Sequence, residues 1–389
     1  MRVFLLTSHP VSPPWNSGDK HLARTLLMGG TGVEHHFIAL ESDGAVWPAD
    51  AHPVRLHLRT DVPTAGTKLR LYHALLRCVP EVDAVHSVVA YGRGRLTPAA
   101  VLLTPLVRRS RLMVTCPTGW HLPTRLVRRA DTVVAISEAT ASRLRHLGCR
   151  QVLTVPPGIN LDEWTPQDAG DARRRMGIPD VPTLLFAGHY LEGGGLEQAL
   201  AVLARLRRQG EVRLVLAMRT WVRKKHSKGS PEELQAELRA SGLEDSVTVL
   251  GRNPDMRTAV HAASALLFQP RQLELKTDLP ITLLEGLAAG RPIVVGTAPP
   301  LPELADGSGA VTVVGTDDTE ATAAALHHML HDPTELAQRG AAARALARTR
   351  YSSERMVAGY AEAYASLSAA PGQGRGRRRP QAEPESPAL

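Results

Sequence analysis

Cysteine and aromatic residues are scarce in this sequence of 389 residues. Its three cysteines, Cys78, Cys116 and Cys149, are far apart and lack CxxC spacing. We therefore expect neither a disulfide framework nor a cysteine-ligated zinc site. Aromatic residues make up only 4% of the chain, and no recognised nucleic-acid-binding module is present. A nucleic-acid-binding protein is therefore the least favoured class.

Long apolar runs are also absent. No window holds the roughly 18 consecutive apolar residues that span a bilayer, and the apolar run in MRVFLLTSHP is too short for a secretory signal peptide. We expect a cytoplasmic protein. Peripheral contact with the inner face of the membrane stays open, because the net charge is +8 and two basic amphipathic stretches, 67–78 and 105–112, would suit an anionic surface.

Several catalytic motifs are missing as well. The sequence has no GxSxG, HExxH or Walker motif, which disfavours serine hydrolases, zinc proteases and P-loop ATPases. His327 and His331 have the i, i+4 spacing of metal ligands on a helix. Since no carboxylate or cysteine partner is evident, a surface helix is the better interpretation.

Short apolar runs rich in β-branched residues alternate with helix-compatible stretches, a pattern typical of βαβ units. The alternation occurs from RVFLL to QVLTV and again from TLLFAG to AVTVVG. It predicts an α/β fold with two Rossmann-like domains, each on a parallel sheet. Prolines and glycines in VPPGINLDEWTP mark the join. We predict an N-terminal domain at 1–165, a C-terminal domain at 166–349, a helix at 350–368 that returns to the N-terminal domain, and a disordered tail at 369–389.

Ligands of open parallel sheets bind beyond the carboxyl ends of the strands, so the loops there are informative. The loop after RVFLL leads to Gly18 and Asp19 at the start of a predicted helix. Gly18 permits close approach of a ligand, and the helix N-terminus would face that ligand with backbone amides. A phosphate or acceptor site and a Pro-rich turn with a helix cap remain equal alternatives.

Two further loops carry glycine and basic residues. Three glycines, 193–195, precede an amphipathic helix and would cradle an anion through their amides. Since they form no GxGxxG fingerprint, a nicotinamide cofactor is disfavoured. In the later segment RTWVRKKHSKG, Arg219 lies nearest to the end of a strand, where its guanidinium would reach a diphosphate. The lysines beyond it fit a solvated loop.

The stretch TDLPITLLEGLAAGRPIV, residues 277–294, places one carboxylate in an otherwise apolar helix. Pro280 suits the first turn and Gly290 the end, so a helix is predicted from about 280 to 289. Thr282 and Glu285 share one of its faces. A carboxylate there accepts paired hydrogen bonds from two vicinal hydroxyls, as on a ribose, while the helix N-terminus faces phosphate.

Three stretches resemble the family-four glycosyltransferases, retaining enzymes of the GT-B fold that take a sugar from a nucleotide-sugar donor. RADTVVAISEATASRLRHLG is similar to the segment that closes their N-terminal domain, VPPGINLDEWTP to their interdomain strand and loop, and DLPITLLEGLAAGRPIVVG to their donor-site helix. The resemblance covers nearly the whole chain. It implies that the N-terminal domain binds the acceptor and that the C-terminal domain binds the nucleotide-sugar as a co-substrate. It also implies that neither a cofactor nor a metal is required.

The resemblance also implies roles for single residues. Glu285 matches the second Glu of the family's E-x7-E motif, which binds the donor ribose. Amides of the loop before it, around Leu279, would hold the sugar and phosphates. A family histidine near the donor would fall close to Pro117, and His121 is near enough to take its place.

The sequence departs from the family at the residues that usually contact the donor sugar and its phosphates. The first Glu of the motif falls on Thr277, which leaves Asp278 beside it as a replacement carboxylate. The usual donor-phosphate Arg and Lys fall on His189 and about Gly194, so both cations are missing.

We hypothesise that Lys276 or Arg219 supplies the missing positive charge. The candidate donor-binding residues are then Gly188, His189, Gly194, Arg219, Lys276, Leu279, Thr282 and Glu285; the candidate catalytic residues are His121 and Asp278, and the candidate acceptor or phosphate loop holds Gly18 and Asp19.

The leading prediction is a glycosyltransferase that moves a sugar from a nucleotide-sugar to an unidentified acceptor with retention of anomeric configuration. The alternatives are a nucleotide-sugar epimerase on the same fold and a catalytically degenerate GT-B protein that binds a partner, which the missing phosphate cations support. Small-molecule, polysaccharide and lipid-linked acceptors all remain open.

Overall fold

The structure is a computed structural model. The predicted disordered tail from residue 370 onward, the basic stretch 67–78 and most of 105–112 lie outside the residues that it describes, as does the basic segment 220–230. The described residues are 1–7, 10–13, 15, 17–41, 44–56, 82–88, 110–189, 193–219, 231–251, 254–273 and 276–369.

A sheet of seven parallel strands forms the centre of the N-terminal half. Its inner strands are nearly continuous apolar runs, as expected where both faces of a parallel sheet are covered. The strands are β1 (Arg2–Thr7), β2 (Glu34–Leu40), β3 (Ala51–Leu56), β4 (Ala84–Val88), β5 (Arg111–Cys116), β6 (Thr132–Ala135) and β7 (Val152–Thr154), in the order β3-β2-β1-β4-β5-β6-β7.

A second parallel sheet, of six strands, forms the centre of the C-terminal half. The prediction of two Rossmann-like domains on parallel sheets is confirmed. The strands are β8 (Thr183–His189), β9 (Arg213–Arg219), β10 (Val247–Val249), β11 (Ala265–Phe268), β12 (Ile293–Val295) and β13 (Val311–Val313), in the order β10-β9-β8-β11-β12-β13.

Helices connect the strands and cover both faces of each sheet. Within the described residues they are α1 (Gly18–Met28), α2 (Thr124–Val127), α3 (Glu138–His146), α4 (Ala169–Met176), α5 (Leu196–Leu206), α6 (Pro231–Ala240), α7 (Met256–Ala262), α8 (Ile281–Ala288), α9 (Thr319–His331), α10 (Pro333–Arg350) and α11 (Ser353–Ala369).

Strand β3 is the strand that the sequence analysis missed. Its sequence, AHPVRL, contains Pro53, which argues against a central strand because proline has no N–H for the hydrogen-bond ladder. The structure places β3 at the edge of the sheet, where β2 is its one partner among the described strands. An edge strand needs hydrogen bonds on one side only, so Pro53 is tolerated there.

The last helix, α11, packs on the N-terminal sheet through a buried polar network. Tyr364 of α11 contacts His86 of β4 and His35 of β2, with hydroxyl-to-nitrogen distances of 2.7 and 3.2 Å. Thr115 of β5 links the other ring nitrogen of His86, at 2.8 Å, to the Tyr360 hydroxyl, at 2.9 Å. Burial lowers the pKa of His86 to about 3, so its ring is neutral in the folded protein.

The chain passes between the two halves twice, and the two passages touch. Ile159 of the first donates its backbone N–H to the Tyr351 carbonyl of the second, at 2.7 Å. A Cβ atom on Gly158 would lie 2.7 Å from the Ser353 Cα, so this close approach requires glycine. These contacts do not fix the domain limits, so the limits at 165 and 349 stay predictions.

Candidate active site

Helix α8 follows strand β11 and carries Glu285. The helix begins after Pro280 and ends before Gly290, whose φ of 71° is a left-handed conformation suited to glycine. Leu283, Leu284 and Leu287 are buried, which fixes the rotation of the helix. Gly286 faces the sheet, because a Cβ there would lie 2.8 Å from the Leu266 side chain.

The Glu285 carboxylate is half-buried and has no hydrogen-bond partner among the described residues. Removal from solvent raises its pKa from 4.5 to about 7. The negative charge of Glu163, in the passage between the domains, raises the pKa further, and Arg257 at the start of α7 opposes this effect. The ionised form of Glu285 therefore lacks hydrogen bonds from the described residues, and the charge of Arg257 offsets its desolvation only in part.

The Lys276 side chain, from the loop before α8, reaches the carboxyl end of strand β8. Its Nζ is 3.4 Å from the Ala187 carbonyl oxygen and 5.5 Å from the centre of the Phe268 ring. In a parallel sheet the strand ends are where ligands bind. The structure therefore places an ammonium group beside Gly188 and His189, where the sequence analysis noted the absence of the usual cation.

Thr277 contacts the other domain at Gly18, the first residue of α1. A Cβ on Gly18 would lie 2.4 Å from the Thr277 Cγ2, so the two loops meet closely only because residue 18 is glycine. The Thr277 hydroxyl donates to the Leu279 carbonyl at 3.1 Å, which fixes the side chain in this position. The following residue of α1, Asp19, is buried.

Asp278 is buried and makes hydrogen bonds across the domain interface, which the sequence analysis did not foresee. Its Oδ1 accepts from the Gly119 N–H at 2.9 Å, and its Oδ2 accepts from the hydroxyls of Ser137 at 2.6 Å and Thr140 at 2.5 Å. Both oxygens are therefore engaged with the N-terminal domain. The structure gives Asp278 a role between the domains, not that of an open carboxylate beside the donor sugar.

His121 lies two residues after Gly119, in the loop that Asp278 contacts. Its φ is 52°, a left-handed conformation that is uncommon for residues other than glycine, and its ring centroid lies 6.2 Å from that of Trp120. Strained backbone of this kind often occurs at functional sites. The structure thus brings His121 and Asp278 into one region, although His121 as a catalytic residue stays a prediction.

The glycine tract lies against the ends of β8 and β11. Gly195 has a φ of 96°, and a Cβ there would lie 3.0 Å from the Pro270 nitrogen. Gly193 accepts a hydrogen bond from the Arg271 N–H at 2.9 Å. Gly194 lies between them, before the N-terminus of α5. At Gly188 a Cβ would lie 2.5 Å from the Phe186 ring, so the backbone here requires glycine for packing as well.

Glu303 is a residue of the domain interface that was not predicted from the sequence. It lies in the short 3-10 turn Leu301–Leu304 and accepts hydrogen bonds from the N–H groups of Glu138 and Ala139, both at 2.7 Å. These groups belong to the first turn of α3. No local pattern around Glu303 indicates such a distant partner.

Three further predicted donor-binding residues lie at the ends of strands or helices. Arg219 and His189 end strands β9 and β8, and Thr282 is half-buried in the first turn of α8.

The described residues contain no helix with the length and apolar character needed to cross a membrane. They also contain no group of three or more His, Cys, Asp or Glu side chains arranged as a metal site.

Comparisons with known proteins point to one family. A family model described as "Glycosyl transferases group 1" matches residues 181–332, the region that contains α8. The chain is 29% identical to a GDP-mannose-dependent phosphatidylinositol monomannoside mannosyltransferase of Mycolicibacterium smegmatis, covering 75% of this chain and 77% of the relative. It is 30% identical to a D-inositol 3-phosphate glycosyltransferase of Actinosynnema mirum, where it spans 49% of this chain and 47% of the relative.

Solved structures share the fold at low sequence identity. Sucrose-phosphate synthase from Thermosynechococcus elongatus has a TM-score of 0.75 at 18% identity, covering 95% of this chain and all of that one. Anabaena HepE in complex with UDP-glucose has a TM-score of 0.69 at 15% identity, covering 94% of this chain and all of that one. The family match and the fold agree with the resemblance drawn from the sequence: residues 181–332 match the group 1 glycosyltransferase model, and the chain shares the fold of the solved structures.

Proposed function

We propose that this protein transfers a sugar from a nucleotide-diphosphate sugar to a hydroxyl group of an acceptor, with retention of anomeric configuration. The observation that carries the proposal is the Glu285 carboxylate, which is half-buried, has no hydrogen-bond partner among the described residues and has a pKa raised to about 7. Two vicinal hydroxyls of a ribose would donate to this carboxylate and stabilise its ionised form. The nucleoside would thus provide the hydrogen bonds that the described residues do not.

The diphosphate would lie beside Lys276 and the first turn of α8. Pro280 has no N–H, so the first amides of the helix free to face an anion are those of Ile281 and Thr282. Lys276 adds an ammonium group at the end of β8. Together they would replace the Arg and Lys pair that the sequence lacks, with the glycines at 193–195 offering further amides.

The proposed chemistry is attack on the same face of the sugar from which the diphosphate leaves. The bond from the anomeric carbon to the phosphate oxygen breaks, and the bond from that carbon to the acceptor oxygen forms. The acceptor proton passes to the leaving diphosphate. The protein stabilises the charge that builds on the diphosphate, with Lys276 and backbone amides as donors, and His121 would face the sugar. No metal enters this scheme.

The acceptor would bind to the N-terminal domain, at loops beyond β1 that include Gly18 and Asp19. The names of the relatives give two acceptors to examine first, D-inositol 3-phosphate and a phosphatidylinositol mannoside. Both carry an inositol ring and a phosphate. An inositol phosphate is therefore the first acceptor to test.

Binding of nucleotides by the intact protein tests the proposal. A ligand that binds only the folded state raises the melting temperature, so we expect stabilisation by at least one of GDP, UDP, GDP-mannose and UDP-glucose. Replacing Glu285 by Ala should weaken that binding roughly 10- to 100-fold, because hydrogen bonds to a charged group are lost. Glu237→Ala, on the exposed face of α6, is the matched control and should bind as the wild type does.

Two results would overturn the proposal: no stabilisation by any of the four nucleotides, or unchanged binding in Glu285→Ala. If a nucleotide-sugar binds, incubation with D-inositol 3-phosphate and NMR analysis of the anomeric proton of the product tests transfer and retention. An inverted product would exclude front-face attack.

A further inference from the structure

The N-terminus of helix α3 is held by two carboxylates of the other domain. Glu303 accepts from the N–H groups of the first two helical residues, Glu138 and Ala139. Asp278 accepts from the hydroxyl of Ser137, the residue that caps the helix, and from that of Thr140. Negative groups are favourable at the positive end of a helix dipole. Both carboxylates therefore join the domains at one point.

Asp278 also does something that Glu303 does not: it holds the loop 117–121 at two places. The Asp278 N–H donates to the Pro117 carbonyl at 2.9 Å, and its Oδ1 accepts from the Gly119 N–H at 2.9 Å. Gly119 is pressed against α3, since a Cβ there would lie 2.4 Å from the Thr140 hydroxyl. One residue thus joins this loop, helix α3 and the segment that contains Lys276 and Thr277.

His121 lies close to this attachment along the chain. Gly119 is fixed by Asp278, and two residues later the chain is in the left-handed conformation of His121. A non-glycine residue keeps such a conformation only where its surroundings enforce it. We propose that Asp278 is a positioning residue, which sets the loop of His121 against the donor-binding segment of the other domain. The proposal rests on the proposed function for the sugar transfer itself, but not for the position of the loop.

Asp278 itself is not the group that reacts, because its two oxygens already accept three hydrogen bonds from the N-terminal domain. Glu303 provides the control that distinguishes positioning of the loop 117–121 from a contact that only holds the domains together. It joins the same helix end to the same domain, yet its bonds go to the backbone of α3 and not to the loop 117–121.

The kinetic test compares Asp278→Ala, Asp278→Asn and Glu303→Ala, using whichever of GDP-mannose and UDP-glucose the wild type hydrolyses. We expect Asp278→Ala to lower kcat roughly 100-fold, since a displacement of about 1 Å in a catalytic group has that effect, with KM for the donor changed by less than about threefold. Asparagine keeps an acceptor for Gly119 and donates to hydroxyls that also accept, so Asp278→Asn should recover most of kcat. Glu303→Ala should leave kcat within about threefold.

A second measurement needs neither donor nor acceptor. Diethyl pyrocarbonate modifies histidine rings at rates set by their surroundings, and mass spectrometry reads the rate at His121 against that at His146, an exposed-helix histidine of α3. Asp278→Ala should change the rate at His121 at least threefold while the rate at His146 and the reactivity pattern of Glu303→Ala stay those of the wild type. Asp278→Asn should restore the His121 rate.

Equal loss of kcat in Asp278→Ala and Glu303→Ala, or an unchanged His121 rate in Asp278→Ala, would overturn the proposal and leave Asp278 as an interdomain contact only. If neither nucleotide-sugar is hydrolysed or bound by the wild type, the proposed function fails, and the modification rates still decide whether Asp278 positions the loop.

Discussion

Two carboxylates in one short stretch, Asp278 and Glu285, have opposite surroundings. Asp278 precedes helix α8 and accepts three hydrogen bonds from the N-terminal domain. Glu285, two turns later, accepts none from the described residues, and burial raises its pKa to about 7. The Asp278 carboxylate is occupied by hydrogen bonds within the protein. The Glu285 carboxylate is available to a ligand, which is why the proposed donor site is centred on it.

The contacts of this stretch also concern Thr277, where the family resemblance leads us to expect a glutamate. A glutamate in this position would have to fit where the Thr277 methyl group already meets Gly18 of the other domain. The segment 276–278 is instead devoted to the domain interface and to a cation, with Lys276 on one side of Thr277 and Asp278 on the other. At the position where the family resemblance leads us to expect a glutamate, the chain thus has a segment that holds the two domains together.

The largest effect on stability is expected from Asp278→Ala. The change leaves the Gly119 N–H and two buried hydroxyls without their acceptor, and each buried unsatisfied group costs about 1–3 kcal/mol. We expect the free energy of unfolding to fall by roughly 3 kcal/mol in total, because the hydroxyls turn to other acceptors. Calorimetric melting at a fixed pH of 8 measures this loss. Glu303→Ala, which frees two backbone amides at a more exposed helix end, is the control and should lose less.

The opposite sign is expected for Glu285→Gln in the protein without ligand. The folded protein holds the proton of Glu285 up to a pH of about 7, whereas the unfolded chain releases it near 4.5. Wild-type stability therefore falls as pH rises from 4.5 to 7, and glutamine escapes this loss. At pH 8 we expect a gain of about 2 kcal/mol, after discounting for partial solvent access, and at pH 4 almost none.

Melting temperatures of wild type and Glu285→Gln at pH 4, 6 and 8 test this sign. A difference that is independent of pH would show that Glu285 is not desolvated in solution, and the contrast with Asp278 would then disappear.

Much of the fold and part of the site followed from the sequence because they depend on local patterns. Apolar β-branched runs located twelve of the thirteen strands among the described residues, and the positions of Pro280 and Gly290 located helix α8 within one residue at each end. Glu285 stood out as a lone carboxylate among leucines. These features are encoded within about twenty residues of each other.

The interface residues depend on contacts between distant parts of the chain, and no local pattern encodes them. Asp278 and Gly119 are 159 residues apart, and Glu303 and Glu138 are 165 apart. Histidines 35 and 86 similarly meet Tyr364 of the last helix. The sequence shows that these side chains are polar. The arrangement of the two sheets and of α11 is needed to show that they are buried and hydrogen-bonded.

The smallest effect concerns the contact between Gly18 and Thr277, and a double-mutant cycle isolates it. In Gly18→Ala the added methyl group would lie 2.4 Å from the Thr277 Cγ2, and the hydroxyl bond to Leu279 prevents the threonine from turning away. We expect a loss of about 1 kcal/mol. Thr277→Ser removes that methyl group and keeps the hydroxyl, so Gly18→Ala should then be neutral or slightly stabilising, as alanine is in a first helical turn.

The coupling energy from the four melting curves should therefore be close to 1 kcal/mol. Additive effects would mean that the loops of Gly18 and Thr277 do not touch in solution. In that case Asp278 would join the domains without support from a contact between Gly18 and Thr277. Asp278→Ala should then lower the free energy of unfolding by more than the roughly 3 kcal/mol expected above.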